Sequence, residues 1–190
     1  ETLVILSSDN GPEIYAGSSA LPLKGVKGQT YEGGVRVPTI AHWPGVLDAG
    51  RVVETPAMII DLLPTLAELI GSSLPPLEID GKSIWPIMTG QSYESPQEAY
   101  YLYYREYMHA IRSGDWKLRF PHPQYIWWPA NPTTALYNLE DDPGETTDLS
   151  LLYPDIAVNL DLLADNMRAQ LGDGELGIPC TECRPPGTLP

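Results

Sequence analysis

The sequence predicts an α/β layered unit that gives way, near Leu74-Pro75-Pro76, to a small four-stranded antiparallel sheet covered by a C-terminal helix. Three observations predict it. An apolar, β-rich run opens the chain and is followed by loop, strand and helix. Short aromatic strands separated by turn residues fill the middle. An 18-residue amphipathic stripe, residues 154–171, stands near the end. The expected division is residues 1–75, residues 76–175, and a Pro- and Gly-rich tail over 176–190.

Thr2-Leu3-Val4-Ile5-Leu6 reads as a fully buried strand, and Ser7-Ser8-Asp9-Asn10-Gly11-Pro12 as a dense turn. A buried strand with nothing before it to pair with predicts a chain that begins inside a larger domain. After a Gly- and Ser-containing loop, residues 35–43 are β-branched and apolar enough for a second buried strand, ended by Pro44-Gly45. His42, inside that strand, reads as a core histidine. Asp61-Leu62-Leu63-Pro64 starts a helix, with Asp61 as cap and Pro64 in the first turn, where its missing N–H costs little. Leu63, Leu66, Ala67 and Ile70 form its apolar face, and Gly71 ends it.

A short helical turn is expected around residues 84–88, then strands over 99–104, 107–112 and 116–120, the last two joined across Ser113-Gly114-Asp115. A Pro- and Trp-rich excursion covers residues 121–132 before a fourth strand, 136–139, and the turn Asp141-Asp142-Pro143-Gly144. The closing helix carries Ile156, Leu160, Leu163, Met167 and Leu171 on one stripe and stops at Gly172.

With 190 residues, 43% of them hydrophobic, and 5 Trp and 11 Tyr, there is enough apolar mass for a core. The net charge of −14 disfavours nucleic acid as a partner. No apolar run approaches the roughly 20 residues of a transmembrane helix. The charge is uneven: ten acidic residues face Arg168 alone between Glu140 and Glu175, whereas Lys24, Lys27 and Arg36 face only Glu32 between Pro22 and Ile40. The locally basic loop is the place for an anion.

Asp9 and Asn10 follow the first strand, where open α/β sheets place their sites. A carboxylate and an amide carbonyl are hard oxygen donors suited to Ca²⁺ or Mg²⁺, and two of them cannot hold the ion alone. The same tripeptide with Gly11 is also an ordinary turn. Lys24 and Lys27 flank Gly25-Val26 and could meet one oxyanion, or could be two solvated lysines. Glu32, Gly33, Gly34 and Arg36 read as residues that shape this loop. His109, His122, Tyr125, Trp127 and Trp128 could line a substrate pocket or pack for structural reasons. Cys180 and Cys183 are too few for a zinc site and are read as disulfide-forming, with each other or with cysteines elsewhere. That points to a secreted, periplasmic or lysosomal setting.

Residues 8–13 (SDNGPE) and 23–38 (LKGVKGQTYEGGVRVP), with Trp43-Pro44-Gly45, Asp61-Leu62-Leu63-Pro64-Thr65-Leu66, Asp80-Gly81, residues 110–118 (AIRSGDWKL) and residues 136–145 (LYNLEDDPGE) in that order, resemble the C-terminal half of the formylglycine-dependent sulfatases, the arylsulfatase family, on an alkaline-phosphatase-like fold. The resemblance implies that Asp9 and Asn10 are two ligands of a divalent cation, usually Ca²⁺ with Mg²⁺ possible. It implies that Lys27 contacts the substrate's sulfate, with Lys24 beside it at a position where the family accepts other basic residues. In that family an aldehyde hydrate attacks sulfur while cation and lysines stabilise the sulfate charge.

The family's nucleophile motif, Cys or Ser followed by x-Pro-Ser-Arg, is not in this sequence. Cys183-Arg184-Pro185-Pro186-Gly187 imitates its first three positions and then fails. The resemblance therefore implies that formylglycine and the other cation ligands belong to an N-terminal half, with which this chain would pair, and that this chain alone is inactive. The substrate class implied is an aryl sulfate or a sulfated carbohydrate. Alternatives sharing the metal site are a phosphodiesterase or phosphonate hydrolase, and a non-catalytic binder of sulfated glycans.

Overall fold

The computed structural model describes residues 2–13, 15, 17–125 and 128–184. Trp127 and the segment 185–187, both singled out above, lie outside them. Two compact units form, Glu1–Ser8 with Pro38–Glu98 and Asp9–Val37 with Ala99–Pro190, so each is built from segments distant in sequence.

In the first unit β1, Val4–Ser7, pairs antiparallel with β2, Thr39–His42, setting Val4 opposite His42 and Ser7 opposite Thr39. Within this chain Val4 is 53% and Leu6 66% exposed, β2 being the one strand that pairs with β1 among the described residues. His42, at the end of this ribbon, is exposed within this chain. The second strand is also shorter than expected. Gly34 and Val35 donate back to the Tyr31 carbonyl and curl the chain into a four-residue helix, α1, Glu32–Val35, before β2 begins.

Helix α2, Leu62–Ile70, ends at Gly71 in the left-handed conformation, φ 64°, as its sequence requires. Asp61 acts differently from the expected cap. Fully buried, its carboxylate accepts from Met58 N at 2.8 Å, Lys82 N at 2.9 Å and Gln97 Nε2 at 3.0 Å, tying the turn before α2 to the segment after it. The side chains that α2 buries are Pro64, Thr65 and Ala67, whereas Leu63 and Ile70 are 50% and 77% exposed. Thr65 explains the rotation: its hydroxyl donates to Asp61 O and accepts from Ile84 N, just before α3, Trp85–Thr89.

The second unit holds a four-stranded antiparallel meander in the order β3-β4-β5-β6: Tyr100–Tyr104, Tyr107–Ser113, Trp116–Arg119 and Ala135–Asn138. Helix α4, Pro154–Leu171, packs across β4 and β5. Met108, Ile111, Leu118, Phe120 and Leu136 meet Leu160 and Ala164 there, each nearly inaccessible, and each large one is worth about 1.5–3 kcal/mol of burial. A bulge between the Tyr103–Met108 and Leu102–Ala110 pairs breaks the alternation of β4, which is how Met108 and Ile111 reach the same layer. Among the described residues no helix is long and apolar enough to cross a membrane. Cys180 and Cys183 are disulfide-bonded to each other, which settles the pairing left open by the sequence.

The opposite face of the sheet is covered too. Lys117 and Arg119, alternating with Leu118 on β5, are 0% and 1% exposed. Lys117 Nζ lies 2.9 Å from Glu32 Oε1 and 3.0 Å from Glu145 Oε1, and Arg112 Nη1 lies 3.1 Å from Glu32 Oε2. Two cations and two carboxylates thus join β4, β5, α1 and the turn after β6. Removing one partner of a buried group strands the others, so Lys117→Met should cost about 3–5 kcal/mol in urea denaturation of the protein. A loss below about 1 kcal/mol would show that the cluster is solvated and structurally idle.

Candidate functional site

The described residues between 9 and 37 form a loop that lies on this second face and is cross-tied at its base. Gly11 N donates to Gly34 O at 3.1 Å, Lys27 N to Pro12 O at 3.0 Å and Gly33 N to Lys24 O at 2.7 Å. The glycines at 11 and 34 are required by close approach: a Cβ on Gly34 would collide with the Gln29 carbonyl oxygen, and one on Gly11 with that of Gly33. Glu32 then clamps the loop from beneath through Lys117 and Arg112, and Glu32 N donates to Glu145 Oε2 at 2.6 Å.

The two lysines are placed differently. Lys24 Nζ donates to the Glu145 carbonyl at 3.1 Å and sits 4.5 Å over the Tyr31 ring, contacts that hold the loop to the sheet. Lys27 is exposed and lines a cavity of about 720 Å³ together with Glu13, Tyr104, Arg105, Tyr125 and Trp128. That volume is in the range of small-molecule sites.

The Pro- and Trp-rich excursion builds one wall of the cavity. Tyr125 and Trp128 exchange backbone hydrogen bonds at 2.9 and 3.2 Å, and His122 pairs with Asn131, so the described residues on the two sides of this segment pair antiparallel. Tyr104 meets Tyr125 and Trp128 edge-on at 4.9 and 5.5 Å. Behind them His109 and His122, both nearly inaccessible, stack at 4.5 Å with an interplanar angle of 11°. His109 Nε2 is 3.1 Å from the Tyr125 hydroxyl, and His122 Nδ1 donates to Pro123 O at 2.9 Å. The histidines therefore back the cavity wall through Tyr125 and Trp128, and neither is among the residues lining the cavity.

Asp9 and Asn10 follow β1 side by side, Asn10 Nδ2 donating to Asp9 Oδ1. Their oxygen donors fit a hard cation in kind; the ~6–8 ligands such an ion takes exceed what the pair supplies. Among the described residues no group of three His, Cys, Asp or Glu converges to complete it.

Sequence reasoning missed Lys117, Arg119 and Glu145. On a half-buried strand the polar members of an alternation read as solvent-facing, and nothing local reveals that a loop some eighty residues earlier covers them. Arg119, 3.5 Å over the Tyr31 ring and 5.7 Å from that of Trp128, is one of the cations set near the histidines. Burial, then His122, then Arg119 push the His109 imidazole down from 6.5 to about 3. A depressed histidine leaves stability intact above its unfolded value and withdraws it as pH falls from 6.5 towards 3, since only the unfolded chain takes up the proton. His109→Gln should accordingly show a shallower fall of the urea midpoint between pH 6.5 and 4 than the parent; identical slopes would contradict the assignment.

This arrangement has counterparts. The family described as N-sulphoglucosamine sulphohydrolase, C-terminal, matches residues 26–171. Arylsulfatase A of Bos taurus is 40% identical over 172 residues, covering 78% of this chain and 33% of its own length. Steryl-sulfatase of Mus musculus is 33% identical over 182 residues, covering 79% and 29%. The crystal structure of PsFucS1 sulfatase from Pseudoalteromonas sp. superposes with a TM-score of 0.76 at 27% identity, over 88% of this chain and 36% of that one. The chain spans about a third of the length of these relatives. The mixed helices and sheets, the four-stranded antiparallel sheet and its C-terminal helix are those of the alkaline-phosphatase-like fold expected from the motifs. By family match, sequence identity and fold together, this chain belongs to the sulfatase family and corresponds to its C-terminal part.

Proposed function

We propose that this chain supplies the sulfate-facing loop of a sulfate-ester hydrolase acting on an aryl sulfate or a sulfated carbohydrate. The observation that carries the reading is Lys27: its exposed side chain lines an aromatic-walled cavity, on a loop that buried charges and close-packed glycines hold in place. An ammonium held there needs no rearrangement to meet an oxyanion, which is the condition for electrostatic stabilisation of a reacting sulfate. Tyr125 and Trp128 give the organic part of the substrate an apolar face and exclude water from it. Lys24 holds the loop through Glu145 and adds positive charge behind Lys27.

Asp9 and Asn10 are two of the ligands of a divalent cation, Ca²⁺ or Mg²⁺, the others coming from the part of the relatives' length that this chain does not span. Such an ion supplies positive charge to the sulfate oxygens. The formylglycine nucleophile comes from that same N-terminal part, the motif for it being absent here. The Cys180–Cys183 disulfide fits an oxidising location, secreted, periplasmic or lysosomal.

In the full-length protein Lys27→Ala should lower kcat/KM for a sulfate ester by about 100-fold or more with an unchanged melting transition. Unchanged kcat/KM would remove Lys27 from the site. The 190-residue chain by itself should release no sulfate from an aryl sulfate, and turnover by it would overturn the assignment of the nucleophile to the N-terminal part.

A further inference from the structure

We propose that Arg105 is a specificity-determining residue: it holds a second anionic group, sulfate or carboxylate, on a sulfated sugar whose ring lies against Tyr104, Tyr125 and Trp128 in the cavity beside Lys27. The inference rests on the sulfate-ester reading of that cavity and adds the class of sugar it takes.

Four observations converge on Arg105. It is the first residue of the two-residue connection between β3 and β4, and its φ is 58°. Glycine or asparagine occupies such a turn position without strain, so arginine is there against backbone preference, and its side chain is what the position gains. The turn is anchored, since Gly174 N donates to Glu106 O at 2.8 Å. The Arg105 guanidinium lies 5.6 Å over the Tyr104 ring, on the cavity wall, and the residue is exposed. Among the described residues the ion pairs of Arg112, Lys117 and Arg168 do not include Arg105, which pairs with no carboxylate.

The chemistry follows from the lining. Lys27 and Arg105 place two cations on one cavity whose one acidic lining residue among the described residues is Glu13. One sulfate satisfies one of them. An ammonium is a point charge that suits a reacting sulfate, whereas the planar guanidinium fork pairs two oxygens of a fixed sulfate or carboxylate at once. The three aromatic rings, Tyr104 edge-on to Tyr125 and to Trp128 and these two tilted to each other, offer a wall for a saccharide ring.

The test uses the full-length protein and three sugars: a monosulfated hexosamine, its disulfated form, and a sulfated uronate. Each dianion should be turned over with a kcat/KM about tenfold or more above the monosulfated sugar, and Arg105→Gly should bring that ratio to within about twofold of one. Glycine relieves the positive φ, so this variant keeps the turn. Arg105→Lys should retain part of the preference. A gain confined to the disulfated sugar identifies the second group as sulfate, and one confined to the uronate as carboxylate. A parent enzyme without the preference, or an Arg105→Gly variant that keeps it, overturns the proposal. If none of the sugars is hydrolysed, titration calorimetry separates the two readings. Tighter binding of the dianions, lost in Arg105→Gly, keeps the Arg105 assignment and removes the hydrolase, and equal binding of all three sugars removes both.

Discussion

The pairing of Glu32 with Lys117, completed by Glu145 and Arg112, is the interaction on which the second unit depends. A four-stranded sheet with a helix on one face has a second face to cover. Here the cover is an irregular loop, short of regular hydrogen bonding and of apolar side chains. Charge does what apolar packing cannot: Lys117, with no exposed surface, requires carboxylates close by, and only the loop and the turn after β6 bring them. The cost of leaving any member unpaired makes one loop conformation strongly preferred over its neighbours.

The site inherits its order from that constraint. Lys27 stands five residues before Glu32, and Gly11, Gly33 and Gly34, before and after the pair, permit backbone contacts too close for any side chain. The same face of the sheet carries Arg119 and, at the bulge in β4, His109, so Tyr125 and Trp128 lie over the Arg119 guanidinium and neutral imidazoles. Neutral histidines are what such surroundings favour, first because burial withholds water from an imidazolium and then because the Arg119 guanidinium is close by. The cavity wall is therefore apolar in front and electrostatically fixed behind.

Much of this was legible in the residues. The helix of residues 154–171, its proline start and glycine stop, the two-residue hairpin at Gly114-Asp115 and all four strands of the meander follow from periodicity and turn chemistry, because those depend on neighbours in sequence. The connection at Arg105-Glu106 carries no glycine or asparagine and so gives no turn signal, although the chain reverses there. The burial expected of β1 and of the apolar face of α2 is not met within this chain, for a different reason. Apolar composition says that a side chain favours burial, and whether it is buried depends on what else is near, which composition does not contain.

The motif order by itself determined the family, since the short segments recur at intervals that chance does not reproduce, and it marked the loop of Lys24 and Lys27 as the place for an anion. Tertiary structure alone decided that Lys24 is bound to the Glu145 carbonyl while Lys27 lines the cavity, that His109 and His122 stack behind the wall, and that Lys117 is buried. The physical reason is range. Turns and helices are set by contacts a few residues apart, whereas the exposure of a charge is set by groups up to about a hundred residues away, and no local pattern records their approach.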